Sequence, residues 1–166
     1  MAADNSPYPA SFPVTVQRKF DPAHAELALH VTVPQPAAMP TVKEYRYRPS
    51  FDEVKPVELS LKDKKSRYES AVFQVALRSI HEALAADRQN IIRNISLVLG
   101  IDTLNPATGL PDRREFVAVA VRREQFTRFD LARVVPGATL QHLGALVSKD
   151  PFGSVGVDMS AGVRTV

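Results

Sequence analysis

Apolar positions recur along this chain with two different periods, and the switches between them divide it into elements. Val14, Val16 and Phe20 alternate with Thr15, Gln17 and Lys19, and Leu27, Leu29, Val31 and Val33 alternate with Ala28, His30 and Thr32. A period of two is the pattern of a half-buried strand. Asp21-Pro22-Ala23-His24 lies between these runs, and a turn-forming Asp-Pro there predicts a hairpin. Pro34, Pro36 and Pro40 bound a loop, after which Val42 to Arg48 has the composition of a third strand. A short extended piece is expected near Val54 to Leu59.

At Ser60 the period changes. Ser60-Leu61-Lys62-Asp63 is an S-x-x-[DE] sequence in which a hydroxyl and a carboxylate can satisfy the free amides of a helix start. Tyr68, Val72, Val75, Ser79 and Ala83 trace one row at three-to-four spacing, and Phe73, Ala76, Leu77, Ile80 and Leu84 widen it. The spacing predicts a long helix over about 61–87, packed across a sheet.

Ile91 to Ile101 alternates again, and Phe116 to Val121 is apolar at every position, as a central strand is. Asn105-Pro106-Ala107-Thr108-Gly109 reads as the hairpin loop between them. Glu124 to Leu131 and Gly137 to Val147 read as short helices, the second introduced by Pro136 and carrying Leu140, Leu143 and Val147 at helical spacing. The order of elements predicts an α+β fold, mainly antiparallel sheet against one long helix and shorter C-terminal helices. Residues 1–13, with prolines at 7, 9 and 13, read as a flexible arm; 14–150 as a single domain; 151–166 as a tail.

Composition acts mainly by exclusion. A chain of 166 residues, 45% hydrophobic, is long enough to bury a real core. With no cysteine there are no disulfides, thiolate metal sites or thiol nucleophiles, which predicts a reducing, cytoplasmic setting. No apolar run reaches the roughly 18 residues of a membrane span, so no membrane partner is expected. The formal charge of +3 permits an acidic partner without requiring one.

Nucleotide loops are not found, because the seven glycines never fall into GxxxxGK[ST] or GxGxxG. His24, His30, His81 and His142 sit on separate elements without the spacing of metal ligands, so neither a metal nor another cofactor is predicted. Gly153-Ser154-Val155-Gly156 lacks the strand-to-helix setting of a nucleophile elbow. Glu53-Val54-Lys55 has the E-x-K step of metal-dependent nucleases, in which the carboxylate holds a cation and the lysine stabilises developing charge, with Asp21 as the upstream acid it would need.

Basic residues give the other candidate. Arg46 and Arg48 share one face of their strand, with Lys43, Tyr45 and Tyr47 on the other, a mixture suited to nucleic-acid backbone and bases. Lys62, Lys64, Lys65 and Arg67 open the long helix, where cations oppose the helix dipole. Arg113-Arg114 and Arg122-Arg123 flank the last long strand and extend the set.

The string Tyr68 followed by Gln74-Val75-Ala76-Leu77-Arg78-Ser79-Ile80-His81-Glu82 resembles a domain that, in actinobacterial proteins, precedes a restriction-endonuclease catalytic domain of the Mrr kind. Asn105 to Gly109, Val117 to Val121, Glu124-Gln125-Phe126, Asp130-Leu131 and Leu143 through Lys149 continue the likeness, which covers about Val42 to Pro151. In that family the nuclease residues belong to the downstream domain, so the resemblance implies a recognition or assembly module of a bacterial defence system and assigns no catalytic residue here. The expected function is a non-catalytic binding module. Its expected partners are a nuclease or ATPase protein, DNA contacted through Arg46, Arg48, Lys62, Lys64 and Lys65, and further copies of itself. The alternatives are a small metal-dependent nuclease using Glu53 and Lys55 and a purely self-associating scaffold.

Overall fold

The computed structural model describes residues 12–38, 42–48, 53–58 and 60–158, with 42–48 and 53–58 described by their backbone. Alternation produces the first hairpin as expected: β1 (Thr15–Asp21) and β2 (Glu26–Thr32) pair antiparallel, with Val16 opposite Val31. Its turn is held by the Asp21 carboxylate, which accepts from the Ala23 amide at 3.0 Å and pairs with His24 Nδ1 at 2.7 Å.

β3 (Val42–Arg48) and β4 (Glu53–Glu58) pair only with each other. They form a two-stranded sheet separate from the one that holds β1 and β2. The long helix α1 spans Leu61–Ala86, and Ser60 caps it, its hydroxyl accepting from the Asp63 amide at 3.1 Å. The apolar row read from the sequence is the buried one: Tyr68, Val72 and Ile80 are fully enclosed.

β5 (Asn94–Leu104) and β6 (Pro111–Arg122) form the second hairpin, closed at Asn105 to Gly109. There Gly109 takes a φ of 69° and its amide donates to the Asn105 carbonyl at 2.7 Å. β5 begins three residues later than the alternation suggested, after Asp87 has turned the chain by accepting from the Ile92 amide at 2.8 Å. β2 runs parallel to β5, Leu27 opposite Ile95, so the sheet order is β1-β2-β5-β6 with one parallel ladder, and a short last strand, β7 (Leu146–Val147), lies beyond β6. At the bulge between Leu99 and Gly100 the strands approach closely: a Cβ on Gly100 would overlap the Arg114 carbonyl oxygen. Only glycine fits there.

Two helix expectations need correction. The segment from Glu124 to Leu131 is helical only as α2 (Arg123–Phe126); beyond it the Arg128 and Phe129 amides fold back only three residues, to Gln125 and Phe126, and Asp130 then turns the chain by accepting from the Ala132 amide. The segment from Gly137 to Val147 is α3 (Pro136–His142), which ends where Gly144 adopts a φ of 71°. The Gly144 and Ala145 amides donate back to Gln141 and Leu140, a Schellman motif, and the released Leu146–Val147 becomes β7 against Ala118 and Val117.

The core lies between α1 and one sheet face: Leu27, Leu29 and Val31, then Ile95, Leu97 and Leu99, then Val117, Val119 and Val121, closed at the side by Leu140 and Leu143. Each such side chain contributes roughly 1.5–3 kcal/mol on leaving water. Tyr68 lies at one end, edge-on to Phe12, Phe116 and Phe152, its hydroxyl donating to the Pro34 carbonyl at 2.7 Å. Burial pushes that hydroxyl well above the ordinary tyrosine range. Phe12 and Phe152 thus pack against the core although they fall in the stretches read as arm and tail. Among the described residues no helix is long and apolar enough to cross a membrane.

Candidate nucleic-acid interface

Basic residues gather at both ends of α1, in different chemical states. At its start, Lys62 and Lys65 are exposed and Lys64 half-buried, and none of the three has an ion-pair partner among the described residues. Lys62 and Lys65 line, with Ser66, Phe73, Val135 and Pro136, a cavity of about 410 Å³ between α1 and α3. Lys64 does not border it. Arg46 and Arg48 are placed by backbone alone, in register with Lys55 and Glu53 of β4. The tyrosine and arginine side chains of β3, and those of Glu53 and Lys55, lie outside the described residues. Asp21, the acid that an E-x-K nuclease would need, is engaged by His24 at the β1–β2 turn, and this bond holds its carboxyl below the usual range.

At the other end of α1 an arginine is fully engaged. Arg123, the first residue of α2, sends one terminal nitrogen to Asp87 Oδ2 at 2.8 Å and the Ile92 carbonyl at 2.9 Å, and the other to the Leu84 and Asp87 carbonyls, both at 3.2 Å. Asp87 is the C-cap of α1 and its side chain is 6% exposed. The Ile92 amide is the main influence holding its carboxyl below the ordinary value, joined by the Ile91 amide and the charges of Arg123 and Arg93. The Leu84 and Asp87 carbonyls at the helix end accept only long bonds from the Asp87 and Asn90 amides, at 3.2 and 3.3 Å, and the guanidinium fork adds a second donor to each. Arg123 therefore fastens helix end to strand end.

Two more of the arginines read from the sequence are also committed. Arg113 donates to Thr32 Oγ1 and the Val31 carbonyl, both at 2.6 Å, and pairs with Glu115 at 2.9 Å, tying β6 across β5 to the end of β2. Arg114 donates to the Ser154 carbonyl at 3.0 Å, holding down the chain beyond β7. Of that set only Arg122 has no partner among the described residues, and the structure sets it beside Arg93, a residue the sequence did not single out. The signal was weak: Arg93 follows Ile91-Ile92 directly after the polar Asp87-Arg88-Gln89-Asn90 turn, where Asn90 has a φ of 56° and no strand periodicity has yet begun.

Among the described residues no group of three or more His, Asp or Glu side chains is arranged to hold a metal ion. His30 on β2 is partly exposed and His81 on α1 is largely exposed. Compared with protein-family models, with curated proteins and with solved structures, the chain matches none.

Proposed function

We propose that this protein is a non-catalytic binding module of a bacterial restriction or anti-phage system, which contacts the DNA backbone and assembles with a nuclease or ATPase partner in the cytoplasm. The defence setting follows from the resemblance of the α1 and β5–β6 segments to the domain that precedes Mrr-type nucleases. The DNA contact rests chiefly on one observation: Lys62, Lys64 and Lys65, in the first two turns of a 26-residue helix, have no ion-pair partner among the described residues. Cations at that end oppose the helix macrodipole, and Asp63 is the only acid in the first turn. Their placement costs stability in the free protein, and a polyanion relieves the cost. Contacts of this kind go to phosphate and tolerate sequence.

A DNA titration at two salt concentrations tests the reading. With three lysines and Arg46 and Arg48 making about four phosphate contacts, log affinity should fall against log salt with a slope near about −3.6. Lys64→Ala with Lys65→Ala should flatten it by roughly two units. No binding at low salt would remove DNA from the function and leave self-assembly.

A further inference from the structure

Where β5 begins and β6 ends, a cavity of about 360 Å³ is lined by Asn90, Arg93, Asn94, Arg122, Arg123 and Thr127, with Glu124 as its one acid. Arg123 is neutralised by Asp87, which leaves the guanidinium groups of Arg93 and Arg122, without an ion-pair partner among the described residues, and one exposed carboxylate. The amides of Asn90 and Asn94 and the hydroxyl of Thr127 add neutral donors. The frame is rigid. Asn94 sits opposite Arg122 in the β5–β6 ladder, the Arg93 and Asn94 amides both donate to the Ala25 carbonyl, and the Arg93 carbonyl accepts from the Arg123 amide at 2.8 Å. A site on strand ends holds its donors better than one on a free loop.

A second cavity of about 340 Å³ shares Arg123 and Thr127 in its lining and is otherwise mainly apolar, with Leu84, Ala85, Phe126, Phe129 and Leu131. His81 and Asp130 add hydrogen-bonding groups at this side. Phe129 is set edge-on to Phe126 at 5.9 Å and to His142 at 5.9 Å, which fixes its ring while leaving it half-buried. An arginine-lined polar compartment beside an aromatic one has the chemistry of a nucleotide unit: oxygens of a phosphodiester in the first, a base in the second. An acidic peptide would use the guanidinium groups but has no need of the aromatic wall. A base inside a duplex cannot reach that wall.

We propose that these adjoining cavities bind a segment of single-stranded nucleic acid, with phosphate held by Arg93 and Arg122 and a base against Phe129. The inference depends on the DNA-contacting reading only for the class of ligand. Its residues lie at the opposite end of α1 from the lysines, so the two can fail separately.

Fluorescence anisotropy on the full chain tests it, with a labelled oligothymidylate, a labelled duplex and a polyglutamate peptide as probes. The single strand should bind more tightly than the duplex at low salt. Arg93→Gln with Arg122→Gln should weaken it roughly tenfold or more and lower the salt slope by about 0.7 for one lost phosphate contact. Phe129→Leu, which keeps an apolar side chain in place, should weaken it about tenfold through lost stacking. In the unmodified protein the single strand should shift the Asn90 and Asn94 amide resonances. Oligothymidylate affinity unchanged in both variants overturns the proposal, as does arginine-dependent binding of polyglutamate with equal strength. If lysine changes at 64 and 65 abolish DNA binding while Arg93 and Arg122 changes do not, this site falls and the lysine contact stands. If the unmodified protein binds no nucleic acid, both fall.

Discussion

The two ends of α1 carry similar numbers of basic residues and use them in opposite ways. At the Ser60 end three lysines point at no partner among the described residues, and the helix is secured without them, by a hydroxyl cap and by Tyr68 bonded to the Pro34 carbonyl. At the Asp87 end a single arginine makes four hydrogen bonds and replaces the cap that glycine commonly supplies. Charge at one end is available to a ligand; at the other Arg123 is consumed by the fold, and only its neighbours Arg93 and Arg122 are left to one. A count of basic residues therefore overstates the usable positive surface here, since Arg113, Arg114 and Arg123 are all spent internally.

The strongest way to break this contrast is Arg123→Ala. It strips the counter-charge from a nearly buried carboxylate, which keeps the Ile92 amide, and takes the guanidinium donor from the Ile92 carbonyl, and should cost roughly 3 kcal/mol or more in a urea denaturation. A loss below about 0.5 kcal/mol would mean that the clamp is ornamental. Asp87 sharpens the same point through pH. Its carboxyl is held below the ordinary value of 3.8, chiefly by the Ile92 amide, so the ionised form is favoured in the folded chain. The stability it adds is present above the unfolded value and is lost as pH falls through the lowered folded one. The stability gap between the parent and Asp87→Asn should thus hold steady at neutral pH and narrow in acid; a gap that widens in acid would contradict the assignment. The smallest effect belongs to the lysines. Lys62→Ala, Lys64→Ala and Lys65→Ala should each leave stability within about 0.5 kcal/mol or raise it slightly, because the helix dipole opposes those charges. A clear loss in thermal melts would show them serving the fold.

What the sequence made legible was whatever local chemistry specifies. Ser60 and Asp63 marked the helix start, Tyr68 to Leu84 marked its buried face, and Asn105 to Gly109 marked a hairpin, since in each case the deciding interactions lie within a few residues. Val147 was misread because its spacing from Leu140 and Leu143 is helical on paper; the positive φ at Gly144 breaks the helix between them. Arg123 could not be separated from Arg122 by pattern, because the acceptors that occupy it come from Leu84, Asp87 and Ile92, which only the tertiary fold brings near. The cavity pairing Arg93 with Arg122 depends on the same long-range closure. Four strands of the main sheet and the long helix followed from periodicity, whereas β7 and the separate pairing of β3 with β4 did not.

The parallel ladder between β2 and β5 sets the order in which this chain assembles. Each antiparallel hairpin closes over a short loop, while joining Leu27 to Ile95 requires all of β3, β4 and α1 to be bridged first. Loop-closure entropy makes that junction the late and slow event, and native contacts of high sequence separation retard folding. Substitution of Leu29, which meets Leu97 across the ladder, should then slow folding, because that contact is made in the rate-limiting closure. The strand junction that unites the domain is thus its last-made contact, and in a nascent chain β1 and β2 must wait for the synthesis of β5 before the sheet is complete.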